Sequence, residues 1–212
     1  MTTTIDNFIT KTVGQFFGRN TPSHQPGKKL GEYALLKSYQ TIFERNKLKK
    51  PIATQKEIRY SSAVGFGSSP NSCINQMTNK PIEVLFNTHN LNRHILLFTE
   101  KVEGHLIQIE MHFHQDALFH FKIAFPEADK DFRIKLIKQL IATYKLADLD
   151  LTLHSIYDHQ NHCIQVRDFN CFTIEYTALN SAFFSNLIKE VAKTSNQLLV
   201  DYHLTSAPII NK

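Results

Sequence analysis

The sequence predicts an α+β domain on a curved, mainly antiparallel sheet of about six to nine strands. Helices are expected on one face of that sheet, with an amphipathic helix at the N-terminus. Three observations predict this. Period-2 apolar alternation fills residues 82–125 and 149–177, broken only by short turns. Apolar residues at spacings of three and four mark helices before, between and after those runs. Composition does not change after residue 30, so a single domain over 30–212 follows a helix and linker over 1–29.

The elements follow in order. Ile5, Phe8, Ile9, Val13, Phe16 and Phe17 share one helical face, with Asp6 as N-cap and Gly18 as stop. Residues 19–29 hold two prolines and a glycine without a large apolar side chain, the composition of a linker. A second helix is expected from Gly31 to Lys49, burying Tyr33, Leu36, Tyr39, Phe43 and Leu48, with Pro51 ending it. Lys56–Val64 alternates as a strand, and 65–72 is a glycine-containing loop.

Strands are then expected at Ile82–Asn87, His94–Lys101, His105–His114 and Leu118–Phe125, with Glu103-Gly104 as a hairpin turn. Register in the last hairpin is set by its apolar residues. Pairing Phe113 with Phe119, Met111 with Phe121 and Ile109 with Ile123 puts all of them on one face. Asp129 caps a helix to Leu146 with Phe132, Leu136, Leu140 and Tyr144 in i,i+4 sequence. Strands at Leu149–Tyr157, His162–Arg167 and Cys171–Thr177, a helix over Ser181–Thr194 and a strand at Leu198–Leu204 complete the chain.

Composition narrows the functional classes. A hydrophobic fraction of 42% with 20% charged residues is that of a folded domain, which excludes global disorder. The three cysteines, Cys73, Cys163 and Cys171, form no Cys-x-x-Cys pair, so neither a disulfide framework nor a zinc ribbon is expected. The N-terminus lacks a secretory pattern and no apolar run reaches the roughly 20 residues of a membrane span. A cytoplasmic protein is the expectation. Residues 1–56 carry ten Lys/Arg against three Asp/Glu, a balance of +7, whereas the remainder stands at −2. Charge of this kind suits an acidic partner, nucleic acid or anionic lipid alike.

Eleven histidines are the most suggestive feature. In the register above, the face opposite the apolar pairs shows Gln108, Glu110, His112 and His114 on one strand and His120 and Lys122 on the next. His112 then opposes His120, and Glu110 opposes Lys122. Imidazoles beside a carboxylate are the raw material of a metal site or an acid–base pair. On a solvated sheet face they are ordinary surface residues with a weak cross-strand ion pair. His154, His159 and His162 gather near the Asp158–Asn161 turn, and His159 and His162 read as turn residues. Cys163 shares a strand face with Gln165 and Arg167, so it does not pair with the adjacent His162.

The remaining patterns point away from the common enzyme groups. The loop at Gly65 has no Gly-Lys-Ser/Thr, and no Gly-x-Ser-x-Gly or His-Glu-x-x-His occurs. Arg45, Lys47, Lys49 and Lys50 are accounted for by the macrodipole at a helix C-terminus, which disfavours nucleic acid as a partner. No cofactor is implied. The leading expectation is a non-enzymatic intracellular protein-interaction domain of the chaperone, adaptor or neutralising-partner kind. It would contact another protein, or a second copy of itself, through Phe8, Phe16 and Phe17 of the N-terminal helix or through the sheet face of Glu110, His112, His114 and His120. The alternative is an enzyme or a metal- or ligand-binding protein using that same histidine-rich face. A cavity lined by the histidines favours the alternative, and a flat apolar patch near residues 5–17 the former.

Overall fold

A computed structural model describes residues 39–77, 79–88, 91–147, 149–169, 171–180, 184 and 186. The helix expected at residues 6–17 with Phe8, Phe16 and Phe17, the boundary at residue 30 and the strand at Leu198–Leu204 lie outside those residues. Among the described residues, eight strands form one open sheet: β1 (Lys50–Ala53), β2 (Ile82–Thr88), β3 (Leu91–Val102), β4 (His105–His114), β5 (Ala117–Phe125), β6 (His154–Tyr157), β7 (His162–Asp168) and β8 (Phe172–Ala178). Their order is β1-β6-β7-β8-β5-β4-β3-β2. Every neighbouring pair is antiparallel except β1 with β6. The helices are α1 (residues 39–48), α2 (Pro70–Ile74) and α3 (Lys130–Tyr144), and residues 184 and 186 are also helical.

The topology is two meanders joined by α3. Strands β2 to β5 run up and down, and between β3 and β4 Glu103 and Gly104 are both at positive φ as a two-residue hairpin turn requires. Helix α3 starts where the Asp129 side chain accepts the Phe132 amide, a cap worth about 1 kcal/mol, and stops at Lys145 in the left-handed region. It buries Phe132, Leu136, Leu140 and Tyr144, the four residues its i,i+4 spacing selects. The chain returns through β6 to β8 so that β8 pairs with β5 and closes the gap between the meanders.

The main core lies between α3 and the sheet. Leu96, Phe98, Ile109, Met111, Phe121, Ile123, Ile174 and Tyr176 contribute from the strands. Phe121 stacks on Tyr176 at 4.3 Å between ring centroids, and Tyr60 meets the same Phe121 edge-on. Helix α1 sits on the opposite face, where Tyr39 and Ile42 form a small cluster with Phe119 and Phe184. Helices therefore pack on both faces of the sheet, not on one. Even-numbered residues of β8 enter the main core, whereas Thr173, Glu175 and Thr177 point to α1 and are buried there too.

Several local expectations are corrected. Lys56–Val64 is not a strand, although Ile58, Tyr60 and Val64 are buried as alternation requires. Its Ile58 amide is taken by the Asp158 carboxylate at 2.9 Å, in place of a strand partner. Residues 149–153 likewise precede β6 and are not part of it. Helix α1 buries Tyr39, Ile42 and Asn46, whereas Leu48 is exposed, so its inward stripe is rotated from the expected one. Pro51 does not simply end α1; it lies in β1, an edge strand where a missing amide is tolerated.

The β4–β5 register is as expected at Met111/Phe121, Ile109/Ile123, His112/His120 and Glu110/Lys122. It breaks between His112 and Phe113, so Phe113 opposes Leu118 and not Phe119. Phe119 is the extra residue of a β-bulge. Its ring turns to the α1 side, 5.3 Å from that of Tyr39. Alternation alone does not reveal a bulge, because Leu118 and Phe119 are both apolar and either satisfies the core face.

One acid is buried on the α3 side. Glu100 follows Phe98 and precedes Val102 on the inward face of β3, is 4% exposed, and its Oε1 meets no hydrogen-bond partner among the described residues. Burial pushes its carboxyl up to about 7 from an ordinary 4.5. The folded protein therefore keeps a proton that the unfolded chain loses above pH 4.5, and Glu100 costs more stability as pH rises to 7. Relative to the parent, Glu100→Gln should gain progressively over that window, by on the order of 2 kcal/mol at pH 8, in urea titrations from pH 4 to 8.

Candidate functional site

The sheet face under α1 is polar and buried, an arrangement that costs stability unless its groups pair with one another. Residues of β4, β5, β7 and β8 that alternate away from the main core supply it. Gln165 donates to Asn46 Oδ1 at 2.5 Å and to Ser155 Oγ at 3.3 Å, and Cys163 Sγ lies 2.9 Å from the same Asn46 oxygen. Asn46 in turn donates to Ile42 carbonyl oxygen within α1. The helix is thus tied to the strands by one amide side chain on its inward stripe. Lys49, one turn on, donates to the Val166 carbonyl at 2.8 Å.

Beside this network, α1 and the sheet border an open cavity of about 360 Å³. Glu110 and His112 enter it from β4, His120 and Lys122 from β5, Arg167 from β7 and Glu175 from β8. Tyr39, Thr41, Ile42 and Arg45 form its α1 wall. Three of the four histidine-face residues expected from sequence meet here. His112 and His120 have ring centroids 5.0 Å apart and are nearly fully buried, so the solvated-face account of them does not hold. His114 lies past the bulge and lines a different cavity.

Each ring is held by a named group. Tyr39 Oη is 2.6 Å from His112 Nδ1, and Glu110 Oε2 lies 3.5 Å from His112 Nε2. His120 Nδ1 is 2.9 Å from Thr177 Oγ1. Burial, then the positive potential of His112, Lys122 and Arg45, drives the His120 pKa well below its ordinary value, so this ring is neutral at pH 7. Burial would raise the Glu110 carboxyl, but hydrogen bonds from His112 and Lys122 and the Lys122 charge overcome it and hold the group at about 2. Lys122 Nζ approaches Glu110 to 2.6 Å.

The second carboxylate is Glu175, 3% exposed in the middle of an apolar strand. Arg167 donates to it at 2.7 Å and Arg45 lies 3.7 Å away. Burial lowers the pKa of both Arg45 and Lys49, with Glu175 as the opposing influence. Three cations and two carboxylates line the cavity, an excess of cationic side chains. Arg45, Lys122 and Arg167 remain partly exposed and reachable from solvent. No group of three or more His, Cys, Asp or Glu among the described residues is arranged to hold a metal ion. Burial pushes the Cys73 and Cys163 thiols up to about 12, far from thiolate chemistry.

Tyr39, Arg45, Arg167 and Glu175 are members of this site that sequence reasoning passed over. Arg45 carried a bland explanation as a C-terminal helix charge. The available signal was Glu175, a lone acid inside the apolar run Phe172–Ala178, which demands a cation from elsewhere in the fold. Comparisons with known protein families, curated proteins and solved structures match nothing. The site is therefore read on its own chemistry. No helix among the described residues is long and apolar enough to cross a membrane.

His120 supplies a pH test of this geometry. Below about pH 6.5 the unfolded chain protonates the ring while the folded protein does not, so this contribution to stability is lost as pH falls. His120→Asn should narrow its stability gap to the parent by up to about 1.4 kcal/mol per pH unit below 6.5, measured by denaturant unfolding between pH 4 and 7.

Proposed function

We propose that the protein binds a small anionic molecule in the cavity between α1 and the sheet. The observation that carries this reading is the excess of cations around a cavity with a buried polar floor. Arg45, Arg167 and Lys122 each satisfy a carboxylate and still have donors to offer, since a guanidinium carries five N–H groups and an ammonium three. In a partly desolvated setting their attraction for a carboxylate or phosphate group is stronger than on an open surface. Neutral His120, hydroxylic Tyr39 and Thr41 suit the uncharged part of such a ligand. A volume of about 360 Å³ sits at the lower end of the usual range for small-molecule sites.

The ligand-binding alternative is thereby preferred to docking of a protein partner. The apolar stripe at Phe8, Phe16 and Phe17 and the +7 balance of residues 1–56 support partner docking or self-association as the second reading. Thermal unfolding in inorganic phosphate and in malonate, against sodium chloride at equal ionic strength, tests the first. A saturable rise in midpoint is expected for at least one anion, weakened at least tenfold in apparent affinity in Arg45→Gln/Lys122→Gln. Identical behaviour in chloride, or an unchanged response in the double variant, overturns anion binding. Loss of self-association or partner capture on removing residues 1–29, with no anion response in either form, would leave the second reading standing instead.

A further inference from the structure

The end of the sheet beyond the β4–β5 bulge holds a second cavity, of about 430 Å³. Phe66, Leu118 and Phe119 give it apolar walls, and His114, His162 and Asn180 line it with polar groups. Phe119 also packs against Tyr39, His112 and His120, so the bulged residue separates the two cavities.

His162 is oriented in this cavity by a buried acid. Asp158 Oδ2 lies 3.0 Å from His162 Nδ1 and accepts the Ile58 amide, while Oδ1 accepts the amides of Gln160 and His162. A carboxylate can only accept, so in the neutral ring Nδ1 carries the proton and Nε2 is the acceptor. Nε2 makes no hydrogen bond among the described residues, and the ring lines the cavity. The ring is clamped against Phe66 at 4.5 Å between centroids. The loop that carries Phe66 is itself pinned to β5, because Gly67 donates to the Leu118 carbonyl and the Leu118 amide to the Ser68 carbonyl. Gly67 has a φ of 86°, a conformation that favours glycine.

An acceptor of fixed tautomer, set among aromatic and aliphatic walls, matches one chemical class. We propose that this cavity is a second ligand site, taking a small uncharged molecule with a ring or alkyl body and a hydroxyl that donates to His162 Nε2. Asp158 is a positioning residue in this arrangement. It differs from the α1 cavity in kind, since no Lys or Arg lines the described wall.

Phenol and anisole are the probes, because they share a ring and differ in the donor. Phenol should bind saturably and about tenfold more tightly than anisole, the worth of one good hydrogen bond. Nitrogen NMR on the parent protein should show His162 as the Nδ1–H tautomer, with its Nε2 resonance moving on phenol addition and not on anisole addition. His162→Leu should bind both probes equally. Equal affinity for both probes in the parent, binding of neither, or an Nε2–H tautomer overturns the proposal, and these readings stand even where the variant fails to fold.

Discussion

Burial of a polar sheet face under α1 is the constraint on which the arrangement of this protein depends. An antiparallel sheet with one apolar face ordinarily leaves the other to water. Here the second face holds His112, His120, Gln165, Thr173, Glu175 and Thr177 at low exposure, so each needs a partner inside the fold. Tyr39, Asn46 and Arg45 of α1 partner His112, Gln165 and Glu175, while His120 pairs with Thr177 and Thr173 donates to the Cys171 carbonyl. The helix is therefore positioned by hydrogen bonds and charges as much as by the small apolar cluster of Tyr39, Ile42, Phe119 and Phe184.

The two carboxylates of this face are treated differently from Glu100 on the other. Glu110 is stabilised as an anion by Lys122 and His112, and Glu175 lies against two guanidinium groups. Glu100 faces the apolar core and holds its proton instead. Burial, with the positive charge of Lys122 and Arg45 added to it, keeps His120 neutral. Between pH 4.5 and 6.5, Glu100 and His120 act on stability with opposite signs.

The bulge at Phe119 connects packing to the sites. One inserted residue leaves the register of His112 with His120 and Glu110 with Lys122 intact, yet sends an aromatic ring to the α1 side. Phe119 then serves as roof support for one cavity and wall for the other. His114 and His112 sit two positions apart on one strand but in separate cavities. Bulges recur where a side chain must be redirected next to a site.

Local pattern determined much of this fold. The i,i+4 series of α3 with its Asp129 cap, the Glu103-Gly104 turn and the cross-strand partners of β4 and β5 each depend on residues close in sequence, whose spacing is itself the physical cause. Glu110, His112 and His120 were legible as one face because register follows from alternation. Tertiary structure alone decided what covers that face. Arg167 reaches Glu175 within the β7–β8 hairpin, but Arg45 joins them only when α1 crosses that face of the sheet. The clamp of Asp158 on His162 and Ile58 spans 100 residues of chain, and no periodicity encodes it. A charged side chain has the same appearance in sequence whether its partner is water or a buried carboxylate. The fold supplied that difference by setting burial and distance together.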